Sequence, residues 1–337
     1  MNAKRWIPAG ACPRMLLSGA GMTMLVFLLV APAEAAAQEF PTKPIKLIVP
    51  FPPAGGTDVL SRSISQSIMT NTKWIIVIDN KPGAGGNIGL DTAAKSPPDG
   101  YTIAMGQTAN LAVNPALYGK LPFDPVKDFE PIALVSSQPL ILVVSTHSPW
   151  KTLKEFVDAA KANPGKLNMA SSGNGTIGHI GGELFQRRAG IKMAHVPYKG
   201  AGPAVADLMG GSIDCFFGNT QAVGGLVTGG KLRPIATTSP KRLANFPDVP
   251  TVAELGYPGF EAATWSGLVA PVGTPKAIID RLNAEANKAL GNPEMKQRLH
   301  EDGSTPLGGS AKDFADFIKS ENVKWGTAVR EAGIKLD

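Results

Sequence analysis

Lys46-Leu47-Ile48-Val49-Pro50-Phe51-Pro52-Pro53-Ala54-Gly55-Gly56-Thr57-Asp58 runs from an apolar strand, through a turn without bulky side chains, into a helix from Thr57 to Met69. Val59, Leu60, Ile64 and Ile68 recur there at helical spacing. The same succession returns far along the chain, where Leu167-Asn168-Met169-Ala170 feeds Ser171-Ser172-Gly173-Asn174-Gly175-Thr176-Ile177-Gly178-His179 and a helix to Ala189 follows. A turn of this kind exposes backbone N–H groups beside the positive end of a helix dipole, which suits an anion. Two of them in one chain predict an α/β fold with an anion held from two sides.

Outward from the first turn, Trp74–Ile78 and Tyr101–Met105 read as strands, with a helix between them from the Lys81–Asn87 turn to about Lys95. Strands alternating with helices at this spacing predict a parallel, doubly wound sheet. Pro131–Val135, continued by Leu140–Val144, is long enough to leave one lobe and enter another. A second set follows: a Thr152/Glu155 capping box on a helix ending near Ala162, strands at Leu167–Ala170, Met193–Val196 and Ile213–Phe217, and a helix from Pro203 to Met209. Leu232–Thr237 reads as the return crossing. Thr274-Pro275 then supplies an N-cap and first helical residue for a helix burying Ile278, Ile279, Leu282 and Leu290, and Ser310 with Asp313 caps another burying Phe314, Phe317 and Ile318.

About 300 residues exceed the size at which one hydrophobic core stops growing. The expected organisation is a signal segment at 1–37, a discontinuous first lobe of 38–140 and 238–337, and a second lobe of 141–237. Two doubly wound sheets then flank a cleft, with both glycine turns at strand carboxyl ends, where open α/β sheets bind ligands.

Lys4, Arg5 and Arg14 precede the apolar run Met22–Val30 and the small residues Ala33–Ala37. That is the pattern of a cleavable export signal, with cleavage near Ala37 and a periplasmic product, because the apolar run is shorter than the roughly 20 residues of a membrane span. Cys12 precedes the run, so Cys215 is the one cysteine left after cleavage and no internal disulfide can form. Part of the +6 formal charge lies in the same segment, and no basic run interleaved with aromatics points to nucleic acid. A soluble monomer is expected.

In the first turn, Phe51, Pro53, Ala54, Gly55, Gly56 and Thr57 are candidate ligand contacts. Asp58 would repel an anion, so it either holds the loop's own N–H groups or a ligand donor, or simply caps the helix. The lysine of a phosphate loop is absent. In the second turn Gly173, Gly175 and Gly178 spell G-x-G-x-x-G, but no acid for a ribose occurs in His195-Val196-Pro197-Tyr198-Lys199. Ser171, Ser172, Gly173, Asn174 and Thr176 remain as donors to an anion. Gln107, Thr108, Tyr198 and Asn219, at strand ends, are second contacts. The third turn, Gly83 to Asn87, reads as tight packing. His179 sits in the first turn of its helix and could reach the ligand; a capping or solvated role is the alternative. His147, His195 and His300 show no metal spacing, no nucleophile elbow occurs, and neither a cofactor nor catalysis is expected. Trp265 reads as core.

Pro41 to Asp58 closely resembles the mature N-terminus of the Bug family, the periplasmic solute receptors of tripartite tricarboxylate transporters. Further matches lie at Asn80–Asn87, Pro98–Tyr101, Leu121–Pro125, Ser171–His179, Val196–Gly200, Phe246–Thr251 and Gly273–Pro275. The resemblance implies a two-lobed, type II-like Venus flytrap that binds a carboxylated solute (a di- or tricarboxylate, an aromatic carboxylate or an amino acid) between the turns at Phe51–Asp58 and Ser171–His179. It also implies delivery to a two-subunit membrane permease, with presentation to a membrane sensor kinase as the other reading. Ala54, Ile177 and Gly218 depart from the usual pattern, where a glycine, a polar residue and an Asp are common.

Overall fold

The computed structural model describes residues 40–334. The predicted signal segment and the cleavage point near Ala37 lie outside the described residues. The chain opens with β1 (Ile45–Val49), α1 (Gly56–Thr72), β2 (Ile76–Asn80), α2 (Asn87–Ala94) and β3 (Thr102–Gln107). A π-helical turn (Ala109–Val113), α3 (Asn114–Leu117) and the long β4 (Phe129–Ser145) follow. Next come α4 (Leu153–Ala162), β5 (Asn168–Ser171), α5 (Ile177–Ala189), β6 (Ala194–Pro197), α6 (Ala201–Met209), β7 (Cys215–Asn219), α7 (Thr220–Thr228) and β8 (Leu232–Thr237). The chain closes with β9 (Ala263–Pro271), α8 (Lys276–Gly291), α9 (Pro293–Glu301), β10 (Thr305–Pro306) and α10 (Ala311–Ala332).

β1 pairs in parallel with β2 and β3, and β5 pairs in parallel with β6 and β7. These are the two βαβ sets read from the sequence. Ile45, Leu47, Ile48 and Val49 are all buried, as a strand covered on both faces requires. The crossing strands are not parallel to them: β9 runs antiparallel to β3 and β4, and β4 antiparallel to β7 and β8. Hydrogen bonds therefore connect the strands in the order β2-β1-β3-β9-β4-β7-β5-β6, with β8 and β10 also on β4.

β4 is the element that joins the two sets. Its residues from Phe129 to Pro139 pair with β9, and those from Leu140 onward pair with β7 and β8. Its partners change between Pro139 and Leu140. Register shifts at Pro131/Ala133 and Leu134/Ser136 mark bulges that bend the strand without breaking it. Pro131–Val135 and Leu140–Val144 are thus one strand of 17 residues.

Ile45, Leu60 and Ile64 pack with Ile279 and Leu282 beside the first set, and Ile141, Val143, Leu208 and Phe216 pack beside the second. A further cluster draws Ile48, Phe129, Phe185, Phe217, Trp265 and Phe314 together, so Trp265 is core as expected. Each such side chain contributes about 1.5–3 kcal/mol on burial. After β8 the chain lays Tyr257 and Phe260 against the Phe185 ring, at 5.4 and 5.9 Å between centroids, before β9 enters between β3 and β4.

Both capping boxes form, Thr152 with Glu155 on α4 and Ser310 with Asp313 on α10. Thr274 does not cap α8. Its hydroxyl donates to the Pro271 carbonyl at 2.7 Å, and Pro275 takes the N-cap position instead. Among the described residues no helix is long and apolar enough to cross a membrane.

Candidate ligand-binding cleft

β1 delivers the first turn, α1 receives it, and Asp58 fixes the shape between them. Its carboxylate, 2% exposed, accepts hydrogen bonds from the Ala54 N–H at 3.0 Å, Arg62 Nε at 2.8 Å and Asn80 Nδ2 at 2.9 Å. The Asn80 amide also donates to the Phe51 carbonyl at 3.0 Å. Burial by itself would raise the Asp58 pKa, but the bonds from Arg62, Asn80 and Ala54 outweigh it and hold the carboxyl below its ordinary value. Asp58 therefore serves the loop's own N–H groups. Gln107, the last residue of β3, donates its amide to the Thr57 hydroxyl and ties the turn to the neighbouring strand end.

The second turn is braced from inside. Thr176 caps α5 by accepting from the His179 N–H at 3.4 Å, and its hydroxyl donates to the Gly173 carbonyl at 2.7 Å. Ser171, fully buried, lies 2.7 Å from His195 Nε2 and accepts from the Gly173 N–H. The His179 ring stacks on His195 at 3.9 Å and 11°, and its Nδ1 accepts from the Gly175 N–H at 3.2 Å. Burial first, and the neighbouring His195 second, push the His179 pKa down to about 3, so the ring is neutral at physiological pH.

The two turns face one another across a cavity of about 150 Å³. Phe51, Pro53, Ala54, Gly55, Gly56 and Thr57 line one side, Ser172 and Thr176 another, and Gln107 and Asn219 stand at strand ends between them. Gly173, Asn174 and Tyr198 line an adjoining cavity of about 550 Å³ that shares Phe51, Pro52, Ser172, Lys199 and Gly200 with the first. Asp58, Thr108, Ser171 and His179 line neither cavity. Thr108 is committed to Trp265, accepting from its N–H at 2.7 Å, while Ser171 and His179 are spent on the turn itself.

Several wall residues escaped the sequence reading. Lys199, Ala201, Gly202 and Pro203 bring in the start of α6, Thr264 comes from β9, and Ala109, Ile177, Gly178 and Phe217 complete the lining. The signal for α6 was present: Gly200-Ala201-Gly202 follows a strand and opens a helix, as the other two turns do. The third turn does more than pack, because Pro82 to Gly86 wall the larger cavity. It also packs closely, since a Cβ on Gly85 would lie 2.7 Å from the Asn174 carbonyl oxygen.

The N-caps of α1, α6 and α7, namely Gly55, Gly200 and Asn219, form no side-chain capping bond, and all three line the smaller cavity. Their helix starts offer donors and positive potential to whatever sits there. No Asp, Glu or His lines either cavity. Among the described residues no group of His, Cys, Asp and Glu is placed to hold a metal.

An α/β fold whose parallel strand sets are joined by crossing strands, with helix N-termini meeting in a cleft, is that of a periplasmic solute-binding receptor. Residues 60–334 match the model of the tripartite tricarboxylate transporter family receptor, and the chain belongs to that family. It is 39% identical to Protein BugT of Bordetella pertussis over 305 residues, covering 90% of this chain and 94% of BugT. Among solved structures it resembles R. palustris Rpa4515 with adipate (35% identity, TM-score 0.86, 88% of this chain and 99% of that one). It also resembles MatC from Rhodopseudomonas palustris with bound malate (31%, TM-score 0.82, 86% and 100%).

Proposed function

We propose that this chain is an exported, non-catalytic receptor that captures a small carboxylate between its two glycine turns and hands it to a two-subunit membrane permease. The observation that carries the reading is the meeting of both turns and three uncapped helix starts in one cavity that no acidic side chain lines. The adipate and malate of the two relatives support the ligand class.

Residues 38–140 with 238–337 form one lobe in this reading, and 141–237 the other. The strand that changes partners at Pro139/Leu140 serves as one hinge and the return crossing as the second. Closure lets both turns donate at once, which couples binding to closing. A micromolar receptor needs about 8 kcal/mol of net binding, and charged hydrogen bonds supply roughly 1.5–3 kcal/mol each, so four or five donors suffice after binding costs.

Calorimetric titration of the purified protein with a carboxylate panel tests the reading, using Thr176→Ala and Thr176→Ser as paired variants. The alanine variant is expected to weaken binding about tenfold, or 1.4 kcal/mol, and the serine variant to restore most of it. Equal affinity in all three removes Thr176 from the clamp. Mass spectrometry should recover the ligand unchanged, and deletion of the gene should abolish uptake of the same carboxylate.

A further inference from the structure

We infer that Gln138 is a positioning residue of the ligand site: it draws the Asn219 amide away from the start of α7 and so keeps that helix start open to the ligand. The inference rests on the carboxylate-receptor reading and adds to it a residue that lines neither cavity.

Gln138 lies in β4, one residue before Pro139, where the strand gives up β9 for β7 and β8. It is 1% exposed, and the apolar run Leu140 to Val144 follows it. A buried amide at such a position is costly unless it is bonded. Strand register shows what it faces. Gln138 stands opposite Thr264 of β9, and Asn219 of β7 stands opposite Leu140, two residues on, so all three side chains share one face of the sheet. Thr264 and Asn219 line the smaller cavity, and Gln138 is buried between their strands.

The Gln138 Oε1 accepts from Asn219 Nδ2 at 3.4 Å, and its Nε2 donates to Ser136 Oγ at 3.3 Å. Asparagine is among the best N-cap residues, its side-chain oxygen ordinarily accepting from an N–H of the first turn. Asn292, the N-cap of α9, does so, from the Glu294 N–H at 2.8 Å. Asn219 holds the same position on α7, also with extended backbone, yet makes no such bond. The first N–H groups of α7 therefore stay unclaimed beside the cavity. Held by one N–H, the Asn219 amide keeps its other N–H and its oxygen for a ligand. It also abuts the first turn, since a Cβ on Gly56 would stand 3.5 Å from Asn219 Nδ2. Without Gln138, Asn219 falls back onto α7, and its cap competes with a bound anion for the same N–H groups.

Titration calorimetry with adipate, malate, citrate, benzoate and glutamate selects the probe, the tightest binder being carried through Gln138→Met, Asn219→Ala and the double variant. Gln138→Met keeps the length of the side chain and removes the acceptor. It should weaken binding about fivefold and Asn219→Ala about tenfold, with the double variant no more than about twofold weaker than Asn219→Ala alone. A residue that merely fills the core gives losses that multiply. In the ligand-free protein Gln138→Met should also slow hydrogen exchange at the N–H groups of Gln221 and Ala222, the second and third residues of α7. Ser136→Ala, which releases the far end of the Gln138 amide, carries the same cycle if Gln138→Met fails to fold. Unchanged affinity, losses that multiply, or exchange no slower than in the wild type overturns this inference and leaves the carboxylate receptor standing. Silence from all five ligands overturns both.

Discussion

Ala54 holds φ at 62°, a left-handed conformation that costs a residue with a Cβ about 1–2 kcal/mol. The turn keeps it there through the Ala54 N–H bond to Asp58. Ala54→Gly should therefore stabilise the protein by up to about 1 kcal/mol in urea denaturation, the relief being reduced by the freer unfolded chain. Asp58 makes a pH-dependent contribution whose sign is fixed: its folded pKa lies below the ordinary one, so the stabilisation is present above about pH 4 and is lost as pH falls through the depressed value. Asp58→Asn should cost about 1–3 kcal/mol at neutral pH and flatten the acid limb of a stability-versus-pH series. His179 has the opposite charge chemistry. Between pH 6.5 and about 3 the unfolded chain takes up a proton that the folded chain refuses, so stability falls as pH drops across that interval. His179→Phe keeps the ring stack and should flatten this interval, at a cost of about 1 kcal/mol for the lost Gly175 bond. Holding the loop was one of three roles the sequence left open for Asp58, beside a ligand's donor group and helix capping, and the bonds from Ala54, Arg62 and Asn80 select it. The part of Asn80 was not legible in the sequence, since its position follows from β2 lying beside β1.

The start of α5 lies so close to the end of β7 that a Cβ on Gly178 would stand 2.6 Å from the Phe217 carbonyl oxygen. Backbone in a paired strand yields little, so Gly178→Ala should lower stability by about 1–3 kcal/mol and weaken carboxylate binding by shifting a cavity wall. Thr152→Ala is the contrasting element-level change: the α4 cap is lost, stability falls by about 1 kcal/mol, and affinity is unchanged because α4 lines neither cavity. Elements with end signals were read well, as α4, α10 and β8 show. Three others lacked a clear apolar period, although α9 does carry an Asn292 N-cap followed by Pro293. β9 mixes Thr, Ser, Gly and Trp in a buried strand, α7 carries Gly224 and Gly225 where apolar periodicity would be sought, and α9 is largely polar. The missed β9 contributes Thr264 to the cleft, whereas Asn219, which precedes α7, was already among the candidate contacts.

At the scale of the molecule, contacts already bridge the cleft. The Tyr118 hydroxyl reaches the Asn174 carbonyl, and a Cβ on Gly200 would stand 3.1 Å from Pro52. If closure and binding are coupled, Tyr118→Phe should lower ligand affinity about two- to fivefold in calorimetry while changing stability by less than about 0.5 kcal/mol. Two lobes and a double crossing were expected from length and from the repeated strand and helix pattern. That one run passes from the first set to the second was also legible, in Pro131–Val135 continued by Leu140–Val144; the bulges at Pro131/Ala133 and Leu134/Ser136 that let it stay one strand of 17 residues were not. β9, which lies between β3 and β4, has a consequence in time. β3 has no neighbour on that side until Ala263–Pro271 has been synthesised, so the sheet stays open until most of the chain exists. Pairing over such sequence separation forms slowly. The second set, whose strands are all made by Thr237, can therefore close before the first, which must wait for Ala263–Pro271.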